Sequence, residues 1–316
     1  MTETRYGDST GGAGGAAAGP GGPQPGEVGG QPVAEGASLW GEAWRDLRKN
    51  PFFVVPVLMI AVLTVIAFFP QWFTDMGPRT CDLARSAEPP QAGHWFGFDR
   101  QGCDYYTRVI FSTRASLLIG LMVTLGALAI AIVLGSVSGY FGGWVDALLG
   151  RLADILFGIP LVVGAIVLLT AVVDRGVPQV SAVLVLLAWP PMFRLMRSTV
   201  LSARETDYVQ AAKALGASHR RIILRHVIPN SIAPVIAYAT VFMGVVIGAE
   251  ATLTFLGAGL QLPALSWGVL LSSPPSRELL NTPHLLAFPG LFVSITVLSF
   301  VMAGDALRDA LDPKLR

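Results

Sequence analysis

Six long apolar runs dominate this chain, at about Phe52–Phe69, Ser116–Tyr140, Leu152–Val173, Val180–Thr199, Ser231–Leu256 and Leu285–Ala303. About twenty such residues, coiled as an α-helix, match the ~30 Å hydrocarbon layer of a bilayer. No water reaches stray N–H and C=O groups there, so each run must satisfy its own backbone as a helix. The sequence therefore predicts an all-α integral membrane protein with six transmembrane helices. Composition agrees, with 53% hydrophobic residues, only 14% charged and a mean hydropathy of +0.58. That balance excludes an ordinary soluble domain, and a net charge of +1 leaves no basic footprint for nucleic acid.

The remaining segments follow from composition. Residues 1–38 are mostly Gly, Pro and Ala. Such a tail buries too little to offset its ordering entropy and is predicted to be disordered. In 39–51, Trp40, Ala43, Trp44 and Leu47 share a helical face while Arg45, Arg48 and Lys49 lie elsewhere, as in a helix lying on the membrane surface. The first apolar run begins only at Phe52, a layout without a cleavable signal peptide. Arg45, Arg48, Lys49, Arg151, Arg194, Arg197, Arg204, Arg220, Arg221, Arg225, Arg308, Lys314 and Arg316 fall on one side if both termini are cytoplasmic, as the positive-inside rule asks. Arg79, Arg85, Arg100, Arg108 and Arg114 run against it, in a loop over 70–113 that this orientation places outside. That loop also holds Cys81, Cys103 and the aromatic cluster His94–Asp99, read as a small local core. A bridge between the cysteines would close roughly twenty residues, worth ~3 kcal/mol in the chain-entropy model. Two free thiols are the other reading; the position of both cysteines outside the spans favours the bridge.

Between the fourth and fifth runs lies a charged, amphipathic segment, Ser202–Asn230. Ser202 and Glu205 have capping-box spacing, so a helix is expected to start there or at Thr206. Tyr208, Ala211, Ala212 and Leu215 follow at helical spacing as a narrow, small-volume stripe suited to lying close inside a groove. Gly216 stands where a left-handed residue ends a helix, and Ser218 where a second helix is capped. Ile222, Ile223, His226 and Val227 form the next stripe, opposite Arg220, Arg221 and Arg225, and Pro229 fixes the start of the fifth span.

Gln210-Ala211-Ala212, Gly216 and Ile228-Pro229 resemble the cytoplasmic loop of permease subunits in bacterial ATP-driven importers. There the pattern is Glu-Ala-Ala, three residues, Gly, nine residues, Ile-any-Leu-Pro. Here Gln210 replaces Glu, His226 replaces Ile and Ile228 replaces Leu, with both gaps kept. Tyr208-Val209-Gln210 and Arg225-His226-Val227 are similar to the dipeptide/oligopeptide/nickel branch. Gly97–Asp104, with Cys103 where that branch has Arg, Glu250–Gly257 with Ser266-Trp267-Gly268, and Gly304–Pro313 extend the likeness; before Gly97 it carries little. The resemblance implies a type I, MetI-like permease fold, with residues 114–305 as the core, 202–230 as the coupling loop and 306–316 as a cytoplasmic end. It implies four kinds of neighbour: the bacterial plasma membrane, a second related permease, two ATPase subunits holding ATP and Mg, and an extracytoplasmic binding protein. Thr206, Asp207, Tyr208, Gln210, Ala211, Ala212, Leu215, Gly216, Ala217 and Pro229 would meet the ATPase, and the solute would be di- or oligopeptides. A nickel-chelate or haem permease is the alternative, and a passive channel or scaffold the more distant one.

No phosphate-binding glycine loop is present, so the chain is expected to bind no cofactor itself and to be no enzyme. No metal site is expected either: its four histidines lie outside the spans or at their edges. Glu250, a carboxylate deep in the fifth run, is a candidate for the solute path, with a buried structural carboxylate as the other reading. Arg151 and Asp154, three apart, are expected to pair. Pro160, Pro190 and Pro191 are expected to kink their spans. The glycines of the second and fifth runs mark close helix approaches, within the subunit or to a sister permease.

Overall fold

The Asn50 side chain accepts the Phe52 N–H at 2.9 Å, and Pro51, which has no N–H to lose, takes the first helical position. Together they start the first apolar helix. The computed structural model describes residues 39–272 and 282–311; the expected tail over 1–38 and the extreme C-terminus lie outside them. Every long element among the described residues is helical: α1 (Leu39–Leu47), α2 (Pro51–Phe68), α3 (Tyr105–Phe141), α4 (Gly143–Phe157), α5 (Leu161–Thr170), α6 (Val177–Ala188), α7 (Pro190–Arg204), α8 (Asp207–Ala214), α9 (His219–Ile222), α10 (Ile228–Phe255), α11 (Trp267–Ser272) and α12 (His284–Leu311). The chain is an all-α integral membrane protein.

Four stretches are long and apolar enough to cross a membrane unaided: α2, α3, the run His219–Phe255 and α12. The other two expected spans are not single helices. Leu152–Val173 is α4 and α5, bent by 84° at Gly158–Pro160, and Val180–Thr199 is α6 and α7, bent by 47° at Trp189. Pro160, Pro190 and Pro191 stand at these breaks, as expected, because a proline lacks the ladder N–H and its ring meets the preceding turn. Counting each pair as one span gives six.

The second span also departs from the prediction, starting at Tyr105 rather than Ser116. Arg114 ends the apolar run in the sequence, and Arg108 precedes it by another turn and a half, yet the helix runs through both; Arg108 is the one the fold encloses. It is buried, and its guanidinium pairs with Asp99 and donates to Gln101 Oε1 at 2.9 Å. At 1.5 Å per residue, the 37 residues of α3 reach ~55 Å, beyond the apolar layer. The extension supports the 70–104 loop. Asp104 caps it by accepting the Thr107 N–H at 2.8 Å and takes His94 Nδ1 at 2.7 Å on its other oxygen. Phe96 stacks on Phe288 of α12 at 3.7 Å and meets Tyr106 edge-on at 5.1 Å, so the aromatic cluster is a local core. Cys81 and Cys103 are joined as a disulfide.

Close backbone approach holds the bundle. A Cβ on Gly139 would lie 2.8 Å from the Arg197 carbonyl of α7, and one on Gly244 2.9 Å from the Val297 carbonyl of α12. These glycines serve contacts within the subunit. The surface helix α1 packs against α12, with Ala43 and Leu47 buried and Trp44 exposed.

Candidate coupling site

The charged segment forms a small helical knob at the end of the molecule where α3 finishes and α10 begins. Its first helix starts at Thr206, the second of the two expected positions, and not at Ser202. Ser202 instead bonds back to the Ser198 carbonyl at 3.3 Å, and α7 continues to Arg204. Thr206 is the N-cap residue of α8 by its extended backbone, while its hydroxyl donates to the Ala203 carbonyl at 2.6 Å. Gly216 ends α8 at φ +77°, and Ser218 Oγ accepts the Arg221 N–H at 3.4 Å to cap α9.

A five-residue π-turn, Ile223–Val227, then leads directly into α10. Pro229 explains the wide turn, since it cannot donate to the carbonyl four residues back. The Ile228 N–H reaches Ile223 instead, and Asn230 Nδ2 covers the His226 carbonyl at 2.6 Å.

The knob has two faces. Val209, Ile222 and Val227 are fully or almost fully buried, and Ala212 and Ala217 pack on the same core. Tyr208 is 44% exposed and Leu215 89%, with Asp207, Gln210, Ala211 and Gly216 also open to solvent. The expected stripe is thus split, and Val209, which the spacing argument omitted, is the inner anchor. Gln210 Nε2 donates to the Arg204 carbonyl at 3.0 Å, closing α8 onto the end of α7.

The knob is fixed to the bundle by residues that sequence reasoning missed. Arg204 Nη1 donates to the carbonyls of Gly139 at 3.0 Å and Tyr140 at 3.4 Å, at the end of α3. The Tyr140 hydroxyl lies 2.9 Å from His219 Nδ1 of α9, and Lys213 Nζ sits 5.8 Å from the Tyr140 ring centre. Alongside, Arg197 grips Asp146 with two nitrogens, Nη2–Oδ2 being 2.6 Å, and Arg194 meets Asp154 at 2.7 Å. Asp154 therefore pairs across to α7 rather than with Arg151, which is exposed. No local signal marks such long-range pairs; only the density of Arg around the segment hinted at them.

The combination is an exposed apolar tip on a body tied to three long helices, a form suited to passing displacement from a docked protein into the bundle. Residues 131–316 match the family model described as the binding-protein-dependent transport system inner membrane component. The chain belongs to this family.

Residues 38–90 also match the N-terminal transmembrane domain of oligopeptide transport permease C, so the part before Gly97, where the motifs carry little, has a family match of its own. Among similar proteins, the dipeptide transport system permease protein DppC of Alkalihalophilus pseudofirmus is 38% identical over 280 residues, 88% of this chain and 91% of that protein. The glutathione transport system permease protein GsiD of Pectobacterium atrosepticum is 34% identical over 278 residues, 88% and 92% of the two chains. The oligopeptide transport system permease protein OppC of Bacillus subtilis is 34% identical over 279 residues, 88% and 91%.

For this family member the other sequence candidate, Glu250, lies at the opposite end of α10. Its side chain is fully buried, and Oε1 accepts from Thr254 Oγ1 at 2.9 Å and Ser266 Oγ at 3.0 Å. Of the two readings the sequence left open, this enclosure has the geometry of the buried structural carboxylate, with Thr254 and Ser266 as its partners. Among the described residues no group of His, Cys, Asp and Glu is arranged to hold a metal ion.

Proposed function

We propose that this chain is one of two permease subunits in an ATP-driven importer of the bacterial plasma membrane, with di- and oligopeptides as solute. Both termini and the knob lie in the cytoplasm, and the 70–113 loop faces out. Two ATPase subunits hold ATP and Mg, and an extracytoplasmic binding protein delivers the peptide. The knob, residues 206–217, seats in a groove of one ATPase. Closure of the two ATPases draws both knobs together and turns the path outward; hydrolysis returns it inward.

The observation that carries this reading is the two-faced knob. Leu215 and Tyr208 stand exposed on a segment whose inner face is anchored by Val209 and whose ends are tied to α3 and α7. An exposed apolar tip on a rigid mount is what an interface needs. The peptide assignment is supported by the names of the similar permeases, which handle dipeptides, oligopeptides and glutathione.

The test is purification of the tagged chain in mild detergent, followed by peptide uptake in liposomes. ATPase subunits and a second permease should copurify, and uptake should require ATP. A single cysteine at Ser218, added to a chain whose own two cysteines are bridged, should resist an impermeant label in intact cells. Ready labelling from outside would leave the cytoplasmic ATPases nothing to grip.

A further inference from the structure

At the knob end, the last turn of α3 is followed at once by α4, and the Ser138 hydroxyl joins them by donating to Asp146. α4 then lies beside α7, clamped at two points. Arg197 holds Asp146 near its start, and Arg194 holds Asp154 near its end. Arg194 also lies over the Phe157 ring, 4.1 Å from its centre. Between the clamps is a cavity of about 460 Å³, whose lining includes Asp146, Gly150, Arg151, Asp154, Arg194 and Arg197. A Cβ on Gly150 would meet nothing within 4 Å, so part of the wall is bare backbone facing open space.

The charges around this cavity do not balance. Three arginines against two aspartates leave one net positive charge. Arg194 and Arg197 are each matched by an aspartate. The Arg151 guanidinium is exposed and makes no ion pair or hydrogen bond among the described residues. A ligand entering here meets that surplus, so the ligand it favours is an anion.

The outer side of α4 indicates where such an anion comes from. Trp144, Leu148, Leu152 and Ile155 recur at helical spacing as one exposed apolar stripe, beside an edge that carries Arg151 and Asp154. An apolar stripe with a charged edge and a Trp is the pattern of a helix lying in the bilayer interface. The bend agrees with this. α4 and α5 meet at 84°, so both cannot follow the membrane normal. α5 has no charged residue and is the one suited to the hydrocarbon.

We propose that the α4–α7 cavity binds the headgroup of an anionic phospholipid. Its phosphodiester carries one negative charge, equal to the surplus, and Arg151 meets it. The open space at Gly150 admits the headgroup, while the acyl chains lie along Trp144, Leu148, Leu152 and Ile155. Basic pockets between membrane helices take lipid headgroups by this combination of charge and depth. The site rests on the membrane assignment alone and holds whatever the solute is.

The test uses the whole complex purified in mild detergent, with a phosphatidylglycerol that bears a photoreactive group near its headgroup. Crosslinks should map to residues 143–157 and 193–197. Unlabelled phosphatidylglycerol should compete for them, whereas phosphatidylcholine and inorganic phosphate should not. Arg151→Ala should weaken labelling there about fivefold, the share of one arginine near an anionic surface. Arg151→Glu should weaken it further. Gly150→Leu puts a side chain into the open space and should abolish labelling, with the partner subunits still copurifying. Unchanged labelling in both Arg151→Glu and Gly150→Leu would overturn the site. Equal competition by inorganic phosphate would make it a site for a soluble anion and overturn the lipid. Loss of the second permease from Gly150→Leu would show that protein covers this face, and would overturn the proposal as well.

Discussion

Arg204 Nη1 donates to the Gly139 carbonyl at 3.0 Å, so the last residue of α7 caps the end of α3. The same arginine ends the helix that leads into the knob, and its own carbonyl holds Gln210 of α8. Motion of the knob is thereby shared between α7 and the longest helix of the bundle. Arg204→Ala leaves the Gly139 and Tyr140 carbonyls, in the last turn of α3, to water, at a cost of about 1 kcal/mol. The larger effect should fall on coupling, with ATP hydrolysis retained and peptide imported per ATP reduced. Arg204→Lys keeps the charge but loses the planar fork and should recover part of that ratio. An unchanged ratio in Arg204→Ala would remove Arg204 from the transmission.

Gly216 separates two reasons for a glycine. Its φ of +77° is a left-handed conformation, and a Cβ placed there meets nothing within 4 Å. Within the chain the requirement is one of backbone, not of space. Gly216→Ala should cost ~1 kcal/mol, and Gly216→Asn, which tolerates that conformation, less. Neither should prevent insertion. Gly216→Trp adds bulk only on the outer surface, so the chain should still insert while uptake is lost through the docking partner. Normal uptake in Gly216→Trp with the ATPases bound would place the contact elsewhere on the knob.

Much of this was legible in the sequence for physical reasons that also mark its limit. Apolar runs report burial in lipid or protein, so α2, α10 and α12 were found where the runs lie. They do not report helix continuity, and α3 extends back to Tyr105 because Asp99 neutralises Arg108 from across a turn. Prolines gave the positions of the breaks but not their angles, which tertiary packing sets. In the knob, Gly216 and Ser218 were readable because a turn and a cap are local. The inward role of Val209 depends on packing against other helices. The ties from Arg204 to Gly139 and from Tyr140 to His219 join residues 65 and 79 positions apart. Glu250 was visible as an anomaly, a carboxylate in an apolar run. Its partner Ser266 lies beyond the end of the helix, so the sequence alone left two readings open.

Val209 and Leu215 make opposite predictions although both are apolar residues of one short segment. Val209 is fully buried against the bundle, and Leu215 is 89% exposed. Val209→Ala should lower stability by on the order of 2 kcal/mol through a cavity under the knob, read as a lower melting temperature of the purified chain. Leu215→Asp should leave the melting temperature unchanged and weaken copurification of the ATPase subunits. If Leu215→Asp binds the ATPases normally, the exposed tip is not the contact surface.

The disulfide between Cys81 and Cys103 offers a test confined to the loop. Cys103 is buried beside Arg108, whose Nη1 lies 3.6 Å from its sulfur, and the Asp99 side chain accepts the Cys103 N–H at 2.9 Å. Asp99 thus serves both the bridge and the ion pair that lets α3 continue out of the apolar layer. The bridge closes a loop over a separation of 22 residues, for which loop-closure entropy gives ~3 kcal/mol. Replacing both cysteines by serine should therefore raise protease sensitivity between residues 74 and 103, while the remaining Asp99–Arg108 pair keeps the start of α3 in place. Adding Asp99→Asn to the double variant leaves Arg108 buried without its carboxylate, a far costlier change than loss of the bridge alone. Cleavage should then spread to the first turns of α3, near Tyr105. Identical fragment patterns from the double and triple variants would show that the bridge and the ion pair act independently.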